Sequence, residues 1–291
     1  MDMNWLLLVV IVLGGTAIWP LGRWALGNDG EPGVVGFWVS LTVAMICALV
    51  VAWSGEWRDA PIGLWLAGGA FGVAYAVGFW ICIMRALQIG PAGPTATVNN
   101  MAMVAGVLYS MLVLVPGSTS VWTVIGLIGV CASLILLGFG RPTENGVHKA
   151  TGARWAKLMA IGGAFSCLSF VAQTHAGTLH PDHKYLFGAV GFGLSALLLL
   201  PLMVRRPARF RLRRELVGGL SLGVTNAAML PLTLTAIRVL GAEVTLPISI
   251  ATPILLVLII GRTFYHEHLS IVAWIACGLG ALSVAALAYG Q

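Results

Sequence analysis

Residues 33–53 read GVVGFWVSLTVAMICALVVAW, with no charged side chain and no proline. At 1.5 Å per residue, a helix of this length reaches about 30 Å, the thickness of a bilayer's hydrocarbon core. Apolar residues fall on every face instead of alternating, which excludes a strand of a membrane barrel, and a backbone in lipid must then bond to itself as a helix. The same reading extends outward in both directions. Stretches of comparable apolarity occupy residues 4–20, 62–87, 94–115, 120–140, 155–176, 185–204, 216–237, 241–261 and 269–290, mostly with short connections. The sequence therefore predicts an all-α integral membrane protein with ten transmembrane helices. The first stretch lacks a basic leader and has Asp2 upstream, so it is expected to be a retained span and not a secretory signal.

Composition excludes a water-soluble fold. Of 291 residues 59% are hydrophobic and only 9% charged, with a mean hydropathy of +0.95, whereas a soluble domain is about a quarter charged. Too few polar residues exist to build a hydrated shell, so lipid is the solvent and a membrane-lipid partner is implied. The net charge of +6 would suggest a nucleic-acid partner, but its placement argues otherwise. Under the ten-span arrangement Arg58, Lys184 and Arg238 lie on one side, and the rest of the 16 basic residues lie on the other, densest over Arg205–Arg214. The positive-inside rule puts that cluster in the cytoplasm, touching headgroups of the plasma (inner) membrane, and both termini outside. No nucleic-acid partner is expected. Tryptophans such as Trp5, Trp53, Trp65, Trp122, Trp155 and Trp274 fall near span ends, as an interfacial belt would. Cys47, Cys82, Cys131, Cys167 and Cys277 sit on five different spans without metal-like spacing and read as packing residues.

A shift of about 150 residues brings similar segments into register. Gly14-Gly15 falls opposite Gly162-Gly163, Gly68-Gly69 and Gly72-Val73 opposite Gly218-Gly219 and Gly223-Val224, and Ser120 opposite Ser270. Each half holds five spans, and an odd number turns the second half upside down relative to the first. The expected organisation is a first five-helix repeat over 1–140, a cytoplasmic linker over 141–154 and a second, inverted repeat over 155–291. Inverted duplication places a solute site near the bilayer midplane, between the repeats.

The run Ala236-Ile237, Gly241-Ala242, Pro247, Pro253, Glu267-His268-Leu269-Ser270, Trp274-Ile275-Ala276 and Gly278 resembles the EamA-like branch of the drug/metabolite transporter superfamily. The first half is similar but weaker, with Pro-Gly-Ser-Thr where the second half has Glu267. Span count and repeat length extend the resemblance over nearly the whole chain. It implies solute transport, and export of an amino acid, metabolite or drug-like compound, without naming the solute. Relatives are often described with both termini in the cytoplasm, opposite to what the charges of this chain imply.

Polar residues in the middle of lipid helices face a bundle interior or a cavity, which makes them site candidates. Tyr75, Asn99, Asn100, Asn226, Ser249 and Thr252 are expected to line a central cavity, with Trp19 and Trp80 as aromatic walls. Helix-to-helix hydrogen bonding is the alternative for the same residues. No carboxylate lies at a span centre, which disfavours a central proton-coupling acid. Glu243, about one turn into span nine, is the coupling candidate, with Arg238 as its expected neutralising partner. Pro231, Pro247, Pro253, Pro91 and Pro94 interrupt helix hydrogen bonds and are candidate bends.

His175, His180, Asp182 and His183 have metal-ligand chemistry, but the proline at 181 breaks any shared helix face, and no metal or cofactor is expected. Gly219-Leu220-Ser221-Leu222-Gly223 spells a hydrolase nucleophile motif, yet it sits within a lipid helix instead of a strand-to-helix elbow, so no enzyme is expected. An uptake carrier for a sugar or other neutral solute is the runner-up to export, and a membrane scaffold or sensor without flux is the third reading.

Overall fold

The computed structural model describes residues 3–26, 30–89, 92–115, 120–139, 149–205, 212–264 and 271–289. Among them the chain forms ten helical rods and no strand. These are α1 (Met3–Leu26), α2 (Pro32–Ser54), α3 (Ile62–Ile89), α4 (residues 92–114), α5 (Val121–Phe139), α6 (Lys149–Leu179), α7 (Lys184–Val204), α8 (Leu212–Leu240), α9 (Ala242–Phe264) and α10 (Ile271–Tyr289). They follow the ten apolar stretches in order. The sixth rod begins at Lys149, inside the stretch expected to be linker, so a shorter connection separates α5 from α6. Residues 116–119, 206–211 and 265–270, with half of the arginine cluster and Glu267, lie outside the described residues, as do 90 and 91.

Among the described residues, five stretches are long and apolar enough to cross a membrane: Pro32–Ser54, Ile62–Ile89, Ala153–Leu179, Pro181–Val204 and Arg214–Leu240. Leu6–Ile18, Val98–Leu114, Val121–Leu136 and Trp274–Leu287 are shorter apolar helices. Large apolar side chains stand outward all round the bundle, among them Leu13, Leu49, Ile128, Leu197 and Leu282. A surface of that kind would aggregate in water and is at rest in lipid.

Local chemistry explains where rods begin and end. Pro32 opens α2, where its missing N–H costs nothing. Gly55 ends α2 at φ 75° and Gly241 ends α8 at φ 79°, left-handed positions that glycine reaches without strain. Their N–H groups return to Val51 O at 2.8 Å and Ile237 O at 3.0 Å. Within the rods, Thr16, Thr42, Thr225 and Thr233 donate to the carbonyl four residues earlier, so a hydroxyl in an apolar bundle needs no outside partner. Two rods change winding: α3 is π-helical over Ala74–Ile83 and α4 over Ser110–Leu114.

Small residues set which rods touch. Gly68 and Gly72 bring α3 onto Val190 and Gly191 of α7, while Gly219 and Gly223 bring α8 onto Trp38 and Thr42 of α2. A Cβ at Gly219 would stand 2.6 Å from that of Trp38. These are the small-xxx-small faces read from the sequence. The other principal contacts are α1 on α8 and α9, α3 and α4 on α6, α4 on α5, and α9 on α10.

Three further pairs join rods that stand five apart in the chain, and each runs antiparallel. On α2 and α7, Gly33 meets Leu202, Ser40 meets Ser195 and Cys47 meets Gly188 in steady reverse order. On α4 and α9, Gly106 meets Leu246 and Ser110 meets Glu243. On α5 and α10, Gly126 meets Leu287 and Ser133 bonds Ala276 O.

Candidate functional site

Between α1, α3, α4, α6, α7, α8 and α9 lies a cavity of about 260 Å³. One wall is aromatic. Phe71, Tyr75 and Phe79 recur every fourth residue along α3, and neighbouring rings lie nearly parallel at centroid distances of 5.6 and 5.5 Å. Phe192 of α7 meets Tyr75 edge-on at 4.9 Å. The π-helical stretch carries Tyr75 and Phe79, and such wide turns recur at functional sites.

The remaining wall mixes uncharged polar groups with apolar ones such as Ile11, Ile18, Met229, Leu230 and Leu246. Asn99 of α4 accepts a hydrogen bond from Ser166 Oγ of α6 at 3.0 Å through Oδ1, and its Nδ2 faces Asn100 Oδ1 at 3.5 Å. Asn226 Nδ2 donates to Leu222 O of its own helix at 2.8 Å. Its Oδ1 has no partner among the described residues, which leaves an acceptor for a guest. Ser169, Gln173, Thr233 and Ser249 complete the polar lining, with Gln173 Nε2 donating to Ser169 Oγ at 3.4 Å. None of the described lining residues is charged. The space therefore offers amide and hydroxyl groups beside aromatic rings, the combination that orients a small amphipathic molecule.

Of the residues expected from the sequence, Tyr75, Asn99, Asn226 and Ser249 line the cavity. Asn100, Trp80 and Thr252 are not among its lining residues. Asn100 is buried beside Asn99. Trp80 packs over Gly36 of α2 and stands edge-on to Tyr75 and Phe79, so it braces the aromatic wall from behind. Its indole N–H and the Thr252 hydroxyl are buried without a partner among the described residues. The Trp19 side chain lies outside the described residues. Sequence reasoning missed Ser166, Ser169 and Gln173, whose spacing of three and four residues puts all three on one face of α6.

Glu243 accepts from Ser110 Oγ at 3.3 Å. Arg238 pairs not with Glu243 but with Asp182, at 3.0 Å. His175 Nδ1 and the Tyr109 hydroxyl share a hydrogen bond of 2.8 Å, and the His175 and His180 rings stand edge-on at 5.5 Å. Burial, then the neighbouring His175 and His183, hold the His180 pKa below its ordinary value.

The fold is shared with a solved protein. A structure described as "Crystal structure of protein" is 16% identical, with a TM-score of 0.73, over 97% of this chain and 94% of that one. No model of a known family matches the chain, and no curated protein does. At this identity the likeness speaks for the arrangement of helices alone.

Proposed function

We propose that the chain is a secondary transporter of the EamA-like type in the drug/metabolite transporter superfamily, working by alternating access on a small organic solute. Its ten rods all cross the membrane as two inverted five-helix repeats, with the arginine-rich side in the cytoplasm. The pattern of contacts supports the inversion. Exchanging each rod for the one five places away turns the α1–α8 contact into α6–α3, α2–α8 into α7–α3, α1–α9 into α6–α4, and α4–α5 into α9–α10, all of which occur. The α6–α8 contact has no equally close counterpart. The exchanged pairs that touch, α2–α7, α4–α9 and α5–α10, meet antiparallel, as copies related by a two-fold axis in the membrane plane must.

The observation that carries the reading is the cavity itself: rods of both halves wall it, and amide and hydroxyl groups gather in its lining within an otherwise apolar bundle. A scaffold has no need to keep amide and hydroxyl groups there. The solute we propose is amphipathic, with an apolar part against Phe71, Tyr75 and Phe79 and a hydrogen-bonding part against Asn99 and Asn226. Export follows the family resemblance. The uncharged lining favours a second reading, uptake of a neutral solute such as a sugar. Glu243 is the coupling candidate, placed against α4 through Ser110.

Screening the purified full-length chain for thermal stabilisation by a metabolite library tests the proposal, since a ligand at 100 times its Kd adds about 2.7 kcal/mol. Hits are then followed as flux in proteoliposomes. The carrier reading is abandoned for a scaffold or sensor if no compound raises the Tm and none crosses the bilayer.

A further inference from the structure

The two ends of the bundle carry the same polar joint. At one end, the tail of α3 holds the segment that opens α2. Arg85 Nη2 donates to Glu31 Oε1 at 3.2 Å and Gln88 Nε2 to Gly30 O at 3.0 Å. Glu215, in the first turn of α8, accepts the Glu31 backbone N–H at 3.1 Å. At the other end, the tail of α8 holds the segment that opens α7. Arg238 Nη1 donates to Asp182 Oδ1 at 3.0 Å and Lys184 Nζ to Thr235 Oγ1 at 3.1 Å. There Glu56, from the α2–α3 connection, accepts the Leu186 backbone N–H at 3.0 Å. Each joint therefore combines an arginine on a helix tail, an acid at the opening of the partner helix, and a second carboxylate from the other half that holds that opening in place.

Both helices that supply the arginine also line the cavity, and both are weakened at the level of the cavity, on the way to the arginine. In α3 the π-helical stretch runs from Ala74 to Ile83, immediately before Arg85. In α8, Pro231, which sits between the lining residues Leu230 and Thr233, removes a helix hydrogen bond ahead of Arg238. A tail freed at its tip swings at such a point with little cost to the rest of the rod.

We propose that these joints are the two gates of the transport cycle. Parting Arg85 from Glu31 opens the cavity to one side, and parting Arg238 from Asp182 opens it to the other. The inference rests on the carrier reading and supplies the residues that alternating access needs. The gates are unequal: the Arg85 and Glu31 side chains are 39% and 15% exposed, those of Arg238 and Asp182 54% and 78%. Water screens the second pair more, so that gate yields first.

A cysteine at the cavity reports on both. In the full-length chain with Ser249→Cys and the native cysteines kept, a charged, impermeant maleimide is applied to one face or the other of oriented vesicles, and labelling is read peptide by peptide by mass spectrometry. Arg85→Gln raises labelling from the Arg85 face roughly fivefold, the response to about 1 kcal/mol, and leaves the opposite face unchanged. Arg238→Gln does the reverse with a smaller rise. Glu31→Gln reproduces the Arg85→Gln result, and the exchange Glu31→Arg with Arg85→Glu returns labelling toward the parent level. Equal rises from both faces, no rise from either, or an exchange that stays at the Arg85→Gln level overturns the proposal. Labelling that follows the expected faces while no solute is carried upholds the gates and removes the carrier reading. Flux with labelling indifferent to both joints removes the gates alone.

Discussion

The seam between α2 and α7 offers a measurement whose size follows from the geometry. Ser40 Oγ and Ser195 Oγ stand 2.9 Å apart, and both side chains are fully buried. Replacing one with alanine deletes the bond and leaves the other hydroxyl among apolar atoms, a loss of about 1–3 kcal/mol where no substitute partner exists. Inside a helix a substitute does exist, because a serine can turn to the carbonyl four residues back, as Ser283 does here to Leu279 O at 2.6 Å. Bonds between membrane helices average about 0.6 kcal/mol and reach about 1.7. Each single change, Ser40→Ala or Ser195→Ala, is therefore expected to cost about 0.5–1.7 kcal/mol. The double change costs little more than either one, since two methyl groups fill the gap without stranding a hydroxyl. Equilibrium unfolding of the four variants in mixed micelles gives the coupling energy directly. A value below about 0.3 kcal/mol, the level at which independent sites simply add, would refute the contact and with it the antiparallel register of α2 on α7.

Three further outcomes follow from the same coordinates. Gly72→Val drives a side chain into the Gly191 carbonyl of α7 and is expected to lower stability by about 1–3 kcal/mol, whereas Gly69→Ala, with nothing within 4 Å, is neutral or gains up to about 1 kcal/mol; thermal melts of the two variants separate them. Asn99→Ala and Asn226→Ala each remove a cavity hydrogen-bonding group and are expected to weaken solute binding by about tenfold for a bond worth about 1.4 kcal/mol, read as the thermal shift or flux of a library hit; unchanged transport in both would show that the cavity is not the site. His180 carries a depressed pKa, so the unfolded chain takes up its proton first as the pH drops through the ordinary 6.5. Its contribution is intact above that pH and is lost on acidification toward the folded pKa, and His180→Gln is expected to flatten the fall in Tm between pH 7 and 5.

The ten helices were legible because lipid leaves the backbone one way to satisfy itself, so the length of each apolar stretch carried the answer. Rod boundaries were less so. The sixth rod begins at Lys149 and not at 155: the polar stretch Lys149–Arg154 reads as linker, yet it holds no proline to stop a helix. The cavity was legible where the repeat aligned polar residues against one another, which singled out Tyr75, Asn99, Asn226 and Ser249. It was not legible on α6, because the matching stretch of α1 presents Gly14-Gly15 and gives Ser166, Ser169 and Gln173 no counterpart. Hydroxyls are ambiguous for a physical reason: a threonine bonded to its own helix, such as Thr225, carries no mark of which face it occupies. Trp80 was misplaced relative to the cavity because its position depends on the π-helical winding around it, which sequence periodicity does not show.

Gly241 stands alone between Leu240 at the end of α8 and Ala242 at the start of α9. Consecutive Cα atoms are tied at about 3.8 Å, so a single residue leaves no slack to absorb displacement. Whatever shifts the last turn of α8 must crank the first turn of α9 with it, and with it Glu243, whose carboxylate folds back against Gly241. The corner thus works as a rigid elbow, linking the ionic tip of one rod to the acid on the next without any contact through the cavity.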